Sequence, residues 1–331
     1  MRNFEYARPA DIAGALRLAA EPGAQFIAGG TNLLDLMKGG VAQPHSLVDI
    51  TQITALAQIH ELPTGGVRIG ALAANSDTAL HPLIRERFPL LSRALLAGAS
   101  PQLRNMASVG GNLLQRTRCG YFYDTAFDQC NKRLPGSGCA AIEGFNRNHA
   151  ILGAGKSCIA IHPSDMSVAL VALDAVVQLR SARGFRGVPL VDFQRLAGDT
   201  PQLDTNLGPG EMITAVDLPP NAWQAHSVYL KLRDRASFAF ALVSVAAALD
   251  VREGVVQDAR LVLGGVAHKP WPVPQAASLL RGQAIDTQRF REVAEAALQG
   301  AVPQRDNAFK IELGKRAIVR ALSLAAFPNE A

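Results

Sequence analysis

The amino-acid sequence predicts an α+β protein made of two domains. Its 331 residues exceed the usual length of one domain, and 48% of them are hydrophobic, which is enough for two cores. Strands, glycine turns and helices alternate over the first 75 residues, whereas long β runs followed by two helices begin after residue 221. We therefore expect a first domain over 1–220 and a smaller α+β domain over 221–331, a three-stranded sheet with helices.

The elements of the first domain follow from apolar periodicity and from glycine and proline positions. Asp11 is expected to cap a helix that ends before Pro22. The further predicted elements are a strand in "AQFIAGG", a helix in "TNLLDLMK", strands in "HSLVDI" and "GVRIGALA", a helix in "FPLLSRALLAG", a helix that passes into a strand near Ala175 in "MSVALVALDAVVQLRS", and a strand in "LGPGEMITAVDLPP".

The second domain is predicted from three β runs, "SVYLKLR", "FALVSVAAALDV" and "ARLVLGGVA". Two helices follow, and Asp286 can cap the first of them. The apolar stripe of this helix has the spacing of one buried face and ends at Gly300; it consists of Phe290, Val293, Ala294, Ala297 and Leu298. The second helix is expected to bury Phe309, Leu313, Ala317 and Leu324.

Charge and hydropathy exclude some classes of function. The net charge of +5 comes from 33 basic residues dispersed among 28 acidic ones, which is not typical of a nucleic-acid-binding surface. No apolar run has the length of about 18 residues that a membrane span needs, and the start of the chain lacks the regions of an export signal. We expect no membrane span and no signal of the chain's own.

A glycine turn after the first buried strand is the first segment with chemical content. In "FIAGGTNLLDLMK", Gly29 and Gly30 precede Thr31 and Asn32 at a helix start, where backbone N–H groups lack intrahelical acceptors. Such donors suit a phosphate, although the same residues also suit a plain strand-to-helix turn capped by Thr31 or Asn32. The G-x-G-x-x-G spacing of dinucleotide-binding turns is missing.

Two later segments are similar in chemistry. "ASPQLRNMASVGGNLL" places Ser108, Gly110, Gly111 and Asn112 together after a helix, as a pyrophosphate would need. "HPSDM" offers the Ser164 hydroxyl and the Asp165 carboxylate before a helix, where ordinary capping is the simpler interpretation. "GAGKS" is not a P-loop, because Ala150 stands where that motif needs glycine and the next residues, "CIAIHPSD", indicate a strand.

These segments, in order and across both domains, closely resemble the FAD-binding middle subunit of the xanthine dehydrogenase family of molybdenum hydroxylases. The motifs that carry the resemblance are "AGGTNLLDLMK", "QLRNMASVGGNLL", "HPSDM", "LKLRDRASFAFALVSVAAAL" and "LGGVAHKPW". Within the family the match is nearest to the flavin subunit of bacterial periplasmic aldehyde oxidoreductase. The resemblance implies a two-part FAD-binding domain of the PCMH, or vanillyl-alcohol-oxidase-like, type followed by the smaller α+β domain.

The resemblance also implies residues that bind FAD. The backbone of the first glycine turn would hold the pyrophosphate and ribityl chain, the second turn would hold the diphosphate from the other side, and Asp165 would bond a sugar hydroxyl of the adenosine half. Ile213 would lie beside the isoalloxazine, and Lys231 near its polar edge, where a cation favours an anionic reduced flavin. The two turns contribute Phe26, Ile27, Ala28, Gly29, Gly30, Thr31, Asn32, Leu33, Ser108, Gly111 and Asn112.

All four cysteines lie in residues 115–162, an insertion where most members of the family have a short connection. Cys119, Cys130, Cys139 and Cys158 are separated by ten, eight and eighteen residues, a spacing that is not a general ferredoxin motif. Two disulfides remain an alternative, and so does zinc, for which a C-x-x-C pair is missing but His149 and His162 could be substitute ligands. Residues 115–158 carry six basic and three acidic side chains, a surplus that suits an anionic cluster. The resemblance implies one 4Fe-4S cluster held by these cysteines.

The function implied is electron transfer in an aldehyde-oxidising complex. Substrate oxidation would occur at a molybdenum cofactor on a large partner subunit, and electrons would cross 2Fe-2S centres on a small partner to this FAD and then to an external acceptor. This is expected to be a heterotrimer, with no catalytic side chain on this chain. A hydroxybenzoyl-CoA-reductase-like or xanthine-dehydrogenase-like complex is the first alternative, and a zinc-containing nucleic-acid module is the second.

The compartment is expected from the resemblance rather than from the chain's own start. Co-export into the periplasm with a signal-bearing partner is favoured, with the cytoplasm as the alternative.

Overall fold

The structure, a computed structural model, describes residues 1–328. Its strands are β1 (Glu5–Ala7), β2 (Ala24–Ile27), β3 (Ser46–Asp49), β4 (Ile59–Glu61), β5 (Val67–Gly70), β6 (Val176–Ser181), β7 (Gly184–Pro189), β8 (Met212–Leu218), β9 (Ser227–Leu232), β10 (Val243–Arg252), β11 (Val255–Gly264) and β12 (Trp271–Pro272). Its α-helices are α1 (Ile12–Ala19), α2 (Leu33–Lys38), α3 (Asn75–Leu80), α4 (Pro82–Arg87), α5 (Pro89–Ala97), α6 (Pro101–Met106), α7 (Val109–Leu113), α8 (Gly120–Tyr123), α9 (Ala140–Glu143), α10 (Asp165–Ala172), α11 (Leu190–Phe193), α12 (Gln275–Leu280), α13 (Thr287–Leu298) and α14 (Phe309–Ala326). A 3₁₀ turn covers Thr54–Ala57.

The strands in the described part of the chain form three sheets. A parallel sheet has the order β1-β3-β2, and an antiparallel sheet of five strands has the order β4-β5-β8-β6-β7. The third sheet, β12-β11-β10-β9, is antiparallel and follows residue 221. The predicted α+β class is confirmed, since two sheets precede the smaller α+β part. The three predicted long strands of that part are present, and the two-residue strand β12 extends their sheet at one edge.

The first sheet directs the first glycine turn. Strand β3 is central, and its Leu47 and Val48 are buried, while β2 pairs with it in parallel up to Ile27. The chain leaves the sheet at the carboxyl end of β2 and turns into α2. That edge of a parallel sheet is where loops can gather around a ligand.

Helix α10 joins the two halves of the molecule. Ser164 caps it by accepting a hydrogen bond from the N–H of Ser167, as the simpler interpretation of "HPSDM" predicts. Every residue of the helix after Asp165 is buried, because α10 packs against α5 on one side and against β10 and β11 on the other. This packing leaves the first turn of α10 facing the glycine turns.

The last two helices cover the third sheet. Asp286 caps α13 through the N–H of Gln288, and the predicted apolar stripe of α13 is buried. In α14 the predicted buried face is wrong, because the helix is rotated about its axis by part of a turn relative to the prediction. Phe309 is 38% exposed, and Leu313 and Leu324 are half-buried. The buried face consists of Lys310, Gly314, Ala317, Ile318, Ala321, Leu322, Ala325 and Ala326.

The cysteine-bearing insertion is mostly irregular. It contains only the one-turn helices α8 and α9, and residues 158–164 form neither a strand nor a helix, so the strand expected there is absent. No helix within residues 1–328 has the length and apolar character to cross a membrane.

Candidate functional site

A cavity of about 1320 Å³ lies where the three motif-bearing segments meet. Its wall includes residues 29–32 of the first glycine turn, Gly111 and Asn112 of the second, Asp165 at the start of α10, and Lys231 of β9. These residues are distant in sequence, and the structure brings them together at one cavity. The loop after β9 adds Phe238 and Phe240 to the wall, and the insertion adds Tyr121, Phe127 and Phe145.

The first glycine turn presents unused backbone donors to the cavity. Within residues 1–328, the N–H groups of residues 29–32 donate no hydrogen bond to another backbone group. Gly30 has φ of +69°, a left-handed conformation that favours glycine. A Cβ atom on Gly29 would overlap the carbonyl group of Met106, so the turn packs directly on the end of α6. The turn therefore combines free backbone N–H donors with close packing that leaves no room for a side chain at Gly29.

Asn32 carries the clearest sign that a ligand belongs here. It precedes α2 but makes no capping hydrogen bond with its side chain. Both polar atoms of its amide, Oδ1 and Nδ2, are buried without a hydrogen-bond partner in the described part of the chain. Buried polar atoms are normally paired, so a polar ligand in the cavity would satisfy an otherwise costly group.

The second glycine turn uses its donors internally. The N–H of Gly111 donates to Ser108 Oγ at 3.2 Å, and the N–H of Asn112 donates to the Ser108 carbonyl at 2.8 Å. Asn112 Oδ1 accepts a hydrogen bond of 2.6 Å from the Ser164 hydroxyl. This turn therefore contributes the small surface of Gly111 and the remaining amide group of Asn112, rather than a row of free N–H donors.

Asp165 and Lys231 form a buried ion pair in the cavity wall. Lys231 Nζ donates to Asp165 Oδ2 at 2.8 Å and to the Ala97 carbonyl at 3.0 Å, while the Tyr229 hydroxyl donates to Asp165 Oδ1 at 2.6 Å. Tyr229 and Lys231 point to the same side because they are two residues apart on β9. Burial, with the neighbouring Asp165 carboxylate, raises the pKa of Tyr229, so this phenol stays protonated and donates.

Asp165 and Lys231 therefore lie at the same place in the cavity wall, with 2.8 Å between their polar atoms. The adenosine-side role of Asp165 and the flavin-side role of Lys231 stay predictions.

Several predicted residues lie behind the cavity wall rather than on it. Ile213 on β8 is 4% exposed and belongs to the main core, so the structure does not place it beside a ligand ring. Ser108 acts as the cap of α7. Phe26, Ile27, Ala28 and Leu33 flank the turn without lining the cavity.

The four cysteines lie close to one another, and all four thiols are free. Cys130 and Cys139 face each other in an isolated antiparallel bridge, and Cys119 packs against the apolar clusters that contain Cys130 and Cys158. In residues 1–328 no group of three or more His, Cys, Asp or Glu side chains has the arrangement to hold a metal ion. The bridge and the shared apolar contacts bring the predicted cysteines into one neighbourhood, but not into an arrangement that already holds a metal ion.

The environment distinguishes the thiols from one another. The Cys158 S–H donates to Cys139, which lowers the pKa of Cys139 to about 6 and raises that of Cys158. Burial raises the pKa of Cys119 to about 11. Cys119 is also the one cysteine of the four in the cavity wall, and its Sγ lies 3.2 Å from His149 Nε2. His162, the other histidine considered as a ligand, instead bonds Gln194 and the Ser164 N–H.

A buried charge network supports the insertion, and sequence reasoning did not predict it. Lys132 Nζ donates to Asp204 Oδ1 at 2.5 Å, to the Pro201 carbonyl and to His268 Nε2, and Arg116 pairs with the other oxygen of Asp204. The two basic residues hold the pKa of Asp204 low although burial opposes this. The basic surplus of the insertion was the available signal, but the acidic partner is distant in sequence.

Family models match both halves of the chain. A model described as the FAD binding domain in molybdopterin dehydrogenase matches residues 2–221, and one described as the CO dehydrogenase flavoprotein C-terminal domain matches residues 228–325. The aldehyde oxidoreductase FAD-binding subunit PaoB of Escherichia coli (strain K12) is 50% identical over 329 residues, covering 98% of this chain and 99% of that protein.

More distant relatives are similar to this chain over nearly its whole length. The glyceraldehyde dehydrogenase medium chain of Sulfolobus acidocaldarius is 26% identical and covers 99% of this chain and 98% of its own. Quinoline 2-oxidoreductase from Pseudomonas putida 86 has a similar fold, with a TM-score of 0.77 at 24% identity, covering 100% of this chain and 99% of the other. The chain therefore binds FAD and belongs to the FAD-binding subunits of the molybdenum hydroxylase family.

Proposed function

We propose that this chain is the FAD-carrying, electron-transferring subunit of a molybdenum-dependent aldehyde oxidoreductase complex. The observation that carries the proposal is the whole-length identity of 50% to an aldehyde oxidoreductase FAD-binding subunit, together with a cavity suited to FAD. Partners would be a large molybdenum-cofactor subunit and a small subunit with 2Fe-2S centres, in a heterotrimer. The overall reaction would convert an aldehyde to a carboxylic acid.

The chain's own residues fit FAD as binding groups. Unused N–H donors of residues 29–32 suit the diphosphate, and the unpartnered amide of Asn32 suits a polar group beside it. Bound FAD supplies the chemistry of accepting and releasing electrons, and the protein supplies position and electrostatics. The Asp165–Lys231 pair offers an acceptor and a donor side by side.

We further propose that the four cysteines of the insertion hold one 4Fe-4S cluster. Four free thiols in one neighbourhood are a suitable donor set, and a thiol with its pKa lowered to about 6, as at Cys139, is readily deprotonated for ligation. The hydrogen bond to Cys139 and burial raise the pKa of Cys158, and the charge of the buried Lys132 opposes this rise and would compensate an anionic cluster. The insertion, residues 115–162, would be ordered by the cluster as well as by this network.

The two alternative functions are not equally supported. A hydroxybenzoyl-CoA-reductase-like or xanthine-dehydrogenase-like complex keeps the same subunit and changes the substrate. The zinc-containing nucleic-acid module finds no support, because flavoprotein models cover both halves of the chain.

Assay of the assembled complex with aromatic aldehydes, an aryl-CoA and a purine separates the substrate classes. We expect turnover with the aldehydes alone, and turnover with the aryl-CoA or the purine but not with aldehydes would contradict the proposal. Periplasmic placement by co-export with a signal-bearing partner is part of the proposal, and fractionation of cells that express the whole complex tests it against the cytoplasm.

The role of the chain itself is tested by Gly29→Ala in the assembled complex. We expect loss of FAD and of electron transfer to an external acceptor, because the new Cβ overlaps the Met106 carbonyl. Aldehyde would still reduce the partner's 2Fe-2S centres, which electron paramagnetic resonance detects. Gly300→Ala is the matched control, since a Cβ there meets nothing within 4 Å. Normal FAD content and normal acceptor reduction in Gly29→Ala would contradict the assignment.

A further inference from the structure

The main chain at His149 is fixed by the last helix of the protein. Asn307 Nδ2 donates to the carbonyls of Asn146, His149 and Ala150 at 3.1 to 3.4 Å, and Lys310 Nζ donates to the His149 carbonyl at 3.0 Å. Both donors are fully buried. Contacts of this kind leave the backbone of His149 little freedom, so its side chain has a defined direction.

The imidazole of His149 points at a cysteine sulfur. The residue is 7% exposed, and Nε2 lies 3.2 Å from Cys119 Sγ. In the described part of the chain Nδ1 has no hydrogen-bond partner, so the sulfur is the partner available to the ring. Nε2 is thus the ring nitrogen that faces the sulfur.

This contact lies between the cysteine group and the cavity. Cys119 and His149 both line the cavity, whereas Cys130, Cys139 and Cys158 do not. The Cys119 sulfur also faces the backbone N–H groups of Tyr121 and Phe122, which would remain after any change at His149. His149 is thus the side-chain donor that can be altered separately at the cavity side of the cysteine group.

We propose that His149 donates its Nε2–H to the Cys119 sulfur and thereby raises the reduction potential of the iron–sulfur cluster. The inference rests on the proposed function, since it needs a cluster bound by Cys119. Reduction adds negative charge to a cluster and its thiolates, so a hydrogen bond to a thiolate stabilises the reduced state more than the oxidised state. His149 is a positioning and tuning residue here and not a ligand.

The test is a redox titration of the assembled complex, followed by electron paramagnetic resonance. His149→Leu and His149→Phe both remove the donor, and the Phe ring keeps a similar shape in the buried space. We expect the 4Fe-4S midpoint potential to shift to a more negative value in both, with iron and FAD contents as in the wild type. His149→Gln retains an N–H donor, and its shift is expected to be smaller. His60→Leu, at an exposed position on β4, is the control.

The outcomes separate this inference from the proposed cluster. An unchanged midpoint potential in His149→Leu and His149→Phe, with full iron content, would overturn the inference alone. Loss of iron from both variants would also overturn it, because His149 would then be a ligand or a structural support. A wild-type complex whose iron is fully accounted for by the partner's 2Fe-2S centres would refute the proposed cluster itself, and the inference with it.

Discussion

In the Asp165–Lys231 pair, the carboxylate of Asp165 compensates the charge of the buried Lys231 ammonium group. The side chains are 9% and 4% exposed, and Asp165 is the carboxylate bonded to this lysine. Removal of one partner from a buried ion pair costs about 3–5 kcal/mol because the other charge remains without compensation. The stability of the protein and the geometry of the cavity wall therefore depend on the same two residues.

Asp165→Asn tests this dependence. We expect the free energy of unfolding to fall by about 3–5 kcal/mol and FAD content to fall with it, since Lys231 loses its counter-charge. The double variant Asp165→Asn/Lys231→Met should regain much of the stability without regaining FAD, because no charge is left unpaired. Denaturant unfolding and flavin content are the measurements. A double variant as unstable as the single one, or either variant with full FAD content, would contradict the account.

Lys310 makes stability depend on pH. Burial lowers its pKa from 10.5 to about 7, so between these values the folded protein holds a neutral amine while the unfolded chain holds a charged one. The unfolded state then binds more protons, and the free energy of unfolding must rise with pH through this window. Below pH 7 both states are protonated and the slope disappears.

Lys310→Met should remove that slope. We expect the wild type to gain up to about 1.4 kcal/mol per pH unit relative to the variant between pH 7.5 and 9.5. Denaturant titrations at several pH values measure the difference. Parallel stability curves for the two proteins over this range would show that the amine is not buried as the structure has it.

At the scale of elements, α14 is where sequence and structure disagree most. The sequence predicts Phe309 on the buried face, but this residue is 38% exposed and the Arg147 guanidinium lies 4.8 Å from the centre of its ring. The buried face contains small residues instead, which allow close packing on β10. An apolar stripe gives the period of a helix, whereas contacts from distant segments decide its rotation.

Two substitutions on α14 distinguish the faces. Ile318→Ala should lower the free energy of unfolding by about 2–5 kcal/mol, because Ile318 is 0% exposed. Phe309→Ala should cost about 1 kcal/mol, mainly the contact with Arg147. Equal losses in the two variants, or a larger loss at Phe309, would restore the stripe predicted from sequence.

Other elements were predictable to different degrees. The capped helix α13 followed from its stripe and Asp286, and the first glycine turn followed from strand and glycine spacing, because both depend on neighbours in sequence. The internal use of the Gly111 and Asn112 donors, the core position of Ile213 and the Lys132–Asp204 network depend on packing between distant segments. The division at residue 221 and the individual FAD contacts remain predictions.

At the scale of the whole molecule, the insertion is fixed to both halves. Lys132 and Arg116 hold it to Asp204 of the first half, and Lys310 and Asn307 hold the backbone near His149 to the second. Its cysteines therefore occupy a supported position beside the cavity and do not depend on one local loop. The flavin segments themselves lie outside residues 115–162.

This separation makes it possible to test whether one chain carries FAD in its cavity and a 4Fe-4S cluster in its insertion. The measurement is the content of FAD, iron and labile sulfide per complex in the wild type and in Cys139→Ser, with the partner's 2Fe-2S centres counted separately by their resonance signals. We expect one FAD per chain in the wild type, much of this FAD retained in the variant, and about four iron and four sulfide fewer in the variant. Loss of FAD from the variant with its iron intact, or a wild-type chain that carries zinc in place of iron, would contradict the account.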